Sequence, residues 1–166
     1  RHLYAAAKKH VKIELAVRGI CGINPEALPK KFAKNITVVS ILDRFLEHSR
    51  IFRFGNNGSP EYYIGSADLM QRNLRRRIEL LTPVEQEESR KELDLILDTV
   101  FSDKRKGRKL LAAYRYSKTW KGTEAFESTR AQTVLYEYYR KRLEKSEAVN
   151  KRNGTLIVFH SPEKES

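Results

Sequence analysis

The sequence has one cysteine, one methionine and one tryptophan among its 166 residues. Because Cys21 is the only thiol, an intramolecular disulfide framework and a cysteine-based zinc site are excluded, and this usage fits a reducing cytoplasm. No window approaches about 18 uncharged apolar residues, so the sequence predicts no membrane span. The N-terminus shows no signal-peptide pattern either, and its helical start is expected of a fragment of a longer chain.

Acidic residues are scarce beside basic ones. Lys and Arg number 33 and Asp and Glu 21, which gives a net charge of +12, and residues 104–122 contain no acid at all. This excess predicts an anionic partner, which could be nucleic acid, a phosphorylated small molecule, anionic lipid or an inorganic polyanion. For any single lysine, solvation at the surface is the simpler interpretation. The 40% of hydrophobic residues is enough for one core and excludes disorder over most of the chain.

The hydrophobic periodicities predict an α/β (α+β) fold, with a mixed sheet flanked by helices and further helices at the C-terminal end. Strands are predicted at 11–17, 36–41, 50–54, 61–65 and 78–81, and helices at 1–10, at 42–47 as a short turn, from a capping box at 82–85, and from near Ser128. Five apolar residues recur at helical spacing after that capping box and predict one buried helix face: Leu93, Ile96, Leu97, Val100 and Phe101.

The first candidate site lies at the end of the first predicted strand. Arg18 is followed there by Gly19, so a guanidinium group stands next to open backbone. Both suit an oxyanion, and strand ends are where sites in α/β proteins commonly lie. A surface arginine at a turn is the alternative.

The second candidate is the pair formed by His48 and Arg50. Residues two apart share a face of an extended segment, so an imidazole would stand beside a fixed cation. Such a pair suits a phosphate group. A histidine that caps a helix or packs in the core is the alternative.

The third candidate begins where the strand over 61–65 ends in small residues. Gly65 and Ser66 offer free backbone N–H groups, and four arginines follow within a few positions, namely Arg72, Arg75, Arg76 and Arg77. Because the segment is short and lies between two apolar strands, we expect some of these guanidinium groups to face inward, where each needs an anion. A solvated basic face is the alternative.

Segments 18–21, 40–50 and 63–79 together closely resemble the bacterial polyphosphate kinases that make long-chain polyphosphate from ATP. The order and spacing of all three segments agree, and the similarity extends to Arg130-Ala131-Gln132. The chain looks like the second of the two C-terminal, phospholipase-D-like domains of these enzymes. His48, Arg50, Ser66 and Asp68 echo the H-x-K…G-S-x-N pattern of that superfamily, with Arg in place of Lys and Asp in place of Asn. A phospholipase D proper is therefore disfavoured.

The resemblance implies a role for each candidate residue. His48 matches a catalytic-site histidine in the ATP tunnel, opposite a phosphorylated histidine on the other phospholipase-D-like domain. Arg18 and Arg77 match arginines that hold the phosphates of the nucleotide, and Arg50 joins them at the phosphate site. ATP, ADP and polyphosphate are the implied ligands, with Mg²⁺ bound mainly by ATP and the absent domain. A homo-oligomer in the cytoplasm, or peripheral at the inner membrane, is also implied for the complete enzyme.

Residues 1–146 are expected to form this domain, incomplete at its N-terminus, and 147–166 a polar tail. The chain alone is expected to be inactive, because the nucleophilic histidine lies elsewhere. Three departures from the family pattern are visible: Gly22 replaces a second cysteine, Leu69 replaces a tryptophan, and the 24–35 loop is slightly long. Two alternatives stay open. One is another phospholipase-D-like phosphotransferase or nuclease, and the other is a nucleic-acid-binding module that stacks bases on Tyr114, Tyr116 and Trp120.

Overall fold

Two three-stranded sheets and five helices make up the described part of the chain. The computed structural model describes residues 1–24, 27–111, 114–117 and 130–152, with side chains as far as residue 146. The helices are α1 (His2–Lys8), α2 (Lys30–Ala33), α3 (Gln71–Arg76), α4 (Glu87–Ser102) and α5 (Ala131–Arg152), and the strands are β1 (Ile13–Ala16), β2 (Ile36–Ile41), β3 (Ile51–Phe54), β4 (Glu61–Gly65), β5 (Leu81–Pro83) and β6 (Gly107–Lys109). The predicted α/β class is confirmed, although the strands divide between two small sheets.

The first sheet has the order β1-β2-β6 and contains the main core. Its central strand β2 pairs in parallel with β1 and antiparallel with β6. Alternate residues of β2, namely Ile36, Val38 and Ser40, are buried, because successive side chains of a strand point to opposite faces. The core around them is completed by Ala7, Ile13, Leu28 and Leu110. The C-terminal end of β2 leads directly into the segment that carries His48.

The second sheet has the order β3-β4-β5 and is antiparallel throughout. The predicted Asn-Gly turn joins β3 to β4. Its backbone is left-handed at Asn56, Asn57 and Gly58, with φ of 38°, 50° and 94°. Asn and Gly are the residue types that adopt this conformation most readily, which explains why they stand here.

Helix α4 is fastened to the second sheet by a polar contact at its middle. The hydroxyl of Tyr62, on β4, donates to Asp94 at 2.7 Å, and the guanidinium of Arg53 lies 3.0 Å from the same carboxylate. Arg53 and Arg90 both stack over the Tyr62 ring. Helix α5 packs antiparallel to α4, since Ala131 contacts the end of α4 and Arg142 contacts Glu92 near its start.

Three local predictions are wrong. Residues 42–47 form no helical turn, and 78–80 belong to no strand, because β5 begins at Leu81. The capping box does not form either: Pro83 pairs with Tyr63 at the sheet edge, where a proline is tolerated, and α4 begins only at Glu87.

The predicted buried face of α4 is only partly covered. Val100 is buried, whereas Leu93 and Ile96 are half-buried and line an open groove of about 690 Å³ between α4 and β5. In none of the described helices do length and apolar character suffice for a membrane crossing.

The C-terminal predictions are only partly covered by the structure. Ser128, where the last helix was expected to start, and Trp120 lie outside the described residues, as does 153–166. Helix α5 continues through the expected domain limit at residue 146 to Arg152. The division into a domain and a tail stays a prediction.

Gly65 gives a stability test at the strand end that leads to Ser66. A Cβ added there would lie 2.4 Å from the Leu80 carbonyl oxygen and 2.9 Å from the Leu81 side chain, whereas a Cβ on Gly55 meets nothing within 4 Å. We therefore expect Gly65→Ala to lower the free energy of unfolding by about 1–3 kcal/mol, as overpacking does. Gly55→Ala is the matched control and should change it by less than about 0.5 kcal/mol. Urea denaturation of both variants measures this, and equal stability of the two would contradict the described strand contact.

Candidate phosphate-binding site

The candidate site is built around an irregular loop, residues 42–50, which connects β2 of the first sheet to β3 of the second. No helical hydrogen bonds form in it because groups from elsewhere satisfy its backbone. Arg18 donates to its carbonyl oxygen at Glu47, and Gln132 bonds to both backbone groups of Phe45. Arg50, at the end of the loop itself, donates to the carbonyl oxygen of His48. The loop is therefore shaped by side chains distant in sequence, which explains why local propensity mispredicts it.

Arg18 reaches this loop from the end of β1. Its Nη1 donates to the carbonyl oxygen of Glu47 at 2.7 Å, and its side chain is half-buried. The prediction that Arg18 is a strand-end residue holds, because the backbone of Val17 still bonds to Val39 of β2. Arg18 therefore contacts the residue that directly precedes His48.

His48 and Arg50 are in direct contact. Nη1 of Arg50 lies 3.3 Å from each ring nitrogen of His48 and donates to the His48 carbonyl oxygen at 3.1 Å. The imidazole is exposed, so it is not a core histidine, and no described helix begins or ends beside His48. The Arg50 side chain is only 16% exposed, and its Nε donates to Asp68 Oδ1 at 3.0 Å. This ion pair fixes the cation beside an accessible imidazole.

Asp68 contributes a negative charge to the cluster formed by Arg18, His48 and Arg50. The hydrogen bond from Arg50 holds the pKa of the Asp68 carboxyl below its ordinary value, and the charges of Arg18 and Arg72 act in the same direction. Asp68 is therefore ionised at neutral pH. The cluster offers more positive than negative charge, so an anion at its open side is favoured.

Ser66 is held by a second carboxylate. Its hydroxyl donates to Glu79 at 2.5 Å, and the buried Asn73 side chain donates to the other oxygen of Glu79 at 2.7 Å. These two hydrogen bonds lower the pKa of Glu79, and the charges of Arg77 and Arg50 lower it further. The side-chain amide oxygen of Asn73, Oδ1, has no hydrogen-bond partner in the described part of the chain. This arrangement fixes the segment between β4 and β5.

The prediction that Gly65 and Ser66 offer free backbone N–H groups is wrong. The N–H of Gly65 donates to the carbonyl oxygen of Arg50 at 3.1 Å, and that of Ser66 donates to the carbonyl oxygen of Leu80 at 3.0 Å. Both groups are used by the backbone around β4 and β5.

Arg77 is less closely integrated than predicted. It is exposed at the end of α3 and has no hydrogen bond or ion pair to another described residue, although its charge reaches Glu79. The expectation that some arginines of the 72–77 cluster face inward is wrong. All four are exposed, because it is Asn73 that turns into the protein from this helix. The structure thus brings His48 and Arg50 into contact and places Arg18 on the carbonyl oxygen of Glu47, the residue before His48. Arg77 is linked to this cluster only through the effect of its charge on Glu79.

Asp43 is a site residue that sequence reasoning missed. Its side chain is 1% exposed and accepts two hydrogen bonds from the guanidinium of Arg130, one of them Nε–Oδ2 at 2.8 Å. Arg130 and Gln132 stand 87 residues away in sequence from their partners, Asp43 and Phe45. No local pattern signals pairs so distant, although all four residues lie within segments that carry the resemblance.

A magnesium site is not supported by the donor set. Among the described residues no three His, Cys, Asp or Glu side chains are grouped so that they could hold a metal ion. Asp68 and Glu79 are already engaged by Arg50, Ser66 and Asn73. The Mg²⁺ expected with ATP stays a prediction.

Comparison with known proteins decides the family. The family model described as polyphosphate kinase C-terminal domain 2 matches residues 1–132. The chain belongs to the polyphosphate kinase family. A polyphosphate kinase from Prochlorococcus marinus (strain MIT 9313) is 52% identical over 103 residues, which are 62% of this chain and 14% of the relative. One from Exiguobacterium sibiricum is 42% identical over 126 residues, 76% of this chain and 17% of the relative.

The fold agrees with the same family. The crystal structure of polyphosphate kinase from Porphyromonas gingivalis superimposes with a TM-score of 0.76 at 36% identity, and the match covers 86% of this chain and 21% of that one. The chain thus spans between about a seventh and a fifth of the length of these polyphosphate kinases. The predicted family, and the phospholipase-D-like domain implied by it, are confirmed.

Asp43 gives a pH-dependent test. Arg130 lowers its pKa below the ordinary 3.8 in the folded chain, so the folded state binds fewer protons than the unfolded state near that pH. The stabilisation is complete above pH 3.8 and is lost as the pH falls through the lower folded pKa. We expect Asp43→Asn to lower the free energy of unfolding by about 1–3 kcal/mol at pH 7, and this difference to shrink below about pH 3.8.

Urea denaturation of the wild type and Asp43→Asn at pH 7 and below pH 3.8 measures this difference. Asp98→Asn is the control, because Asp98 is an exposed carboxylate on α4. A difference between wild type and Asp43→Asn that is the same at both pH values would contradict the ionised Asp43–Arg130 pair.

Proposed function

We propose that this domain forms part of the phosphate-binding wall in an ATP:polyphosphate phosphotransferase. The observation that carries the proposal is the convergence of Arg18 and Arg50 on the backbone at Glu47 and His48, with the His48 imidazole exposed beside them. Two guanidinium groups and an accessible imidazole around one loop are a donor set for phosphate oxygens. The chain belongs to a family whose members bear the name polyphosphate kinase.

In this proposal the domain positions phosphates and does not itself accept them covalently. Phosphoryl transfer depends chiefly on alignment and on neutralising charge spread over the oxygens, and fixed arginines supply both. Arg18 and Arg50 are held before any ligand arrives, by Glu47 and Asp68. His48 donates to, or takes a proton from, a phosphate oxygen. The γ-phosphate of ATP passes reversibly to polyphosphate through a phosphohistidine on another domain.

Arg77 is assigned to the periphery of this phosphate path. It is exposed, it lies at the end of α3, and no described residue holds it by a hydrogen bond or ion pair. A guanidinium in that state can follow a chain of phosphates from one position to the next. With the basic 104–109 segment and the net charge of +12, it fits a long polyanion better than a single nucleotide.

Exposed apolar side chains support the proposal that the domain works against another part of the enzyme. Ile20, Leu46, Leu69 and Ile78 border the segments that carry the site, and Ile78 is exposed as fully as in an isolated peptide. Such side chains are costly in water and common where a protein surface is covered. The other phospholipase-D-like domain of the same polypeptide is the proposed cover, and the chain alone is then inactive.

The test is His48→Ala in the complete polyphosphate kinase polypeptide that carries this domain. We expect polyphosphate synthesis from ATP to fall about 10²–10⁴-fold, the range for a group that handles a proton or a developing charge. Because His48 is exposed, the fold should be retained, and circular dichroism with thermal unfolding checks this.

His2→Ala is the matched control, since His2 is an exposed histidine on α1, away from the site. Its turnover should equal that of the wild type. Near-normal turnover in folded His48→Ala would refute the assigned role.

A further inference from the structure

The loop that carries His48 owes its shape to the first turn of α5. Between β2 and β3, residues 42–50 contain no regular secondary structure. A nine-residue connection of this kind has many conformations of similar free energy unless other groups fix it. Two residues at the start of α5, Arg130 and Gln132, bond to the first part of this loop, ahead of His48.

The side chain of Gln132 makes the two hydrogen bonds to the Phe45 backbone that a neighbouring strand would make. The Phe45 N–H donates to Gln132 Oε1 at 3.0 Å, and Gln132 Nε2 donates to the Phe45 carbonyl oxygen at 2.7 Å. One side-chain amide therefore satisfies both backbone groups of a residue that is three positions before His48. These bonds are uncharged, so neither salt nor a bound phosphate competes with them directly.

Arg130 contacts the loop two residues before Phe45, at Asp43. Its guanidinium holds Asp43 through two hydrogen bonds, and the carboxylate they share is buried. Two-point contacts between guanidinium and carboxylate fix direction as well as distance. Together with Gln132, this pair sets both the position and the orientation of the backbone that leads to His48.

The start of α5 is itself fixed to the rest of the domain. The buried carboxylate of Asp103, just after α4, accepts the Ala131 N–H at 2.8 Å and also the N–H groups of Arg105, Lys106 and Gly107. Gly107 begins β6 and pairs with Ile41, the last residue of β2 before the loop. The contacts thus close a ring that runs from β2 through β6 and Asp103 to α5, and back to the loop.

We infer that Arg130 and Gln132 are positioning residues that hold the 42–50 loop so that His48 meets the phosphate. The inference rests on the proposed function of His48. The two residues do not touch His48, and the arginines proposed to meet phosphate hold the other end of the loop at Glu47 and His48. The loop is therefore held at its first part by groups other than those proposed to bind phosphate.

The test uses Gln132→Met in the complete polypeptide. Met has nearly the length and the helix propensity of Gln but makes neither hydrogen bond to Phe45. We expect kcat to fall about 10–100-fold, since a displacement of about 1 Å can cost that much. Hydrogen exchange of a peptide covering 42–50 should become about tenfold faster. Thr133→Val, on the next and exposed residue of α5, is the control and should leave both unchanged.

Gln132→Glu separates positioning from helix stability. Glu keeps an acceptor for the Phe45 N–H, but its second carboxylate oxygen would face the Phe45 carbonyl oxygen, and two acceptors repel each other. A negative charge in the first turn of a helix is nevertheless stabilising. We therefore expect a loss of activity and a rise in exchange at least as large as in Gln132→Met, with α5 no less stable. Activity and exchange close to those of the wild type in Gln132→Glu would overturn the role of the bond from Gln132 to the Phe45 carbonyl oxygen.

A double variant shows whether Gln132 acts through His48. If it does, His48→Ala combined with Gln132→Met should turn over no more slowly than His48→Ala alone. Losses that multiply would overturn the inference, because Gln132 would then act independently of His48. Unchanged exchange over 42–50 in Gln132→Met would overturn it as well, whatever His48→Ala does. Normal turnover in His48→Ala refutes the proposed function instead, while faster exchange would still support the placement of the loop.

Discussion

The buried carboxylate of Asp103 holds together the elements whose relative positions form the candidate site. It accepts four backbone N–H groups, three from the turn that starts β6 and one from the start of α5. Hydrogen bonds to a charged acceptor are strong, and a buried carboxylate without them would be costly. Gly107 is required in this turn, because a Cβ there would lie 2.1 Å from the Asp103 carbonyl oxygen. Asp103 thus fixes the end of α4, the edge of the first sheet and the start of α5 relative to each other.

The candidate site is more than a basic patch, because its most buried arginine is paired with a carboxylate. Arg50 is paired with Asp68 and Arg130 with Asp43, so these more buried charges are already compensated. The carboxylate of Glu79 accepts hydrogen bonds from the neutral side chains of Ser66 and Asn73. The guanidinium of Arg50 is nevertheless in contact with the exposed His48 ring. Carboxylates that orient arginines spare a phosphate ligand the entropic cost of ordering them, which is how preorganised sites act on anions.

The regular strands and the His48–Arg50 pair could be predicted from the sequence. The shape of the loop around them could not, because it depends on residues far away in the chain. The strand over 36–41 and the hairpin at Asn56–Gly58 follow from alternation and turn chemistry, which are local. The contact between His48 and Arg50 follows from their spacing. The helical turn predicted at 42–47 does not form, because Gln132 and Arg18 bind the backbone there from distant positions. The prediction that arginines of 72–77 face inward is also wrong, since the short α3 turns Asn73 inward and leaves the charged side chains in solvent.

The most direct test is a crystal structure of the complete polypeptide with a non-hydrolysable ATP analogue. We expect phosphate oxygens within hydrogen-bonding distance, about 2.7–3.2 Å, of the guanidinium nitrogens of Arg18 and of a ring nitrogen of His48. We also expect Asp43 and Phe45 to keep their bonds to Arg130 and Gln132. A nucleotide whose phosphates are bound away from both Arg18 and His48, with these side chains still open to solvent, would contradict the proposed function.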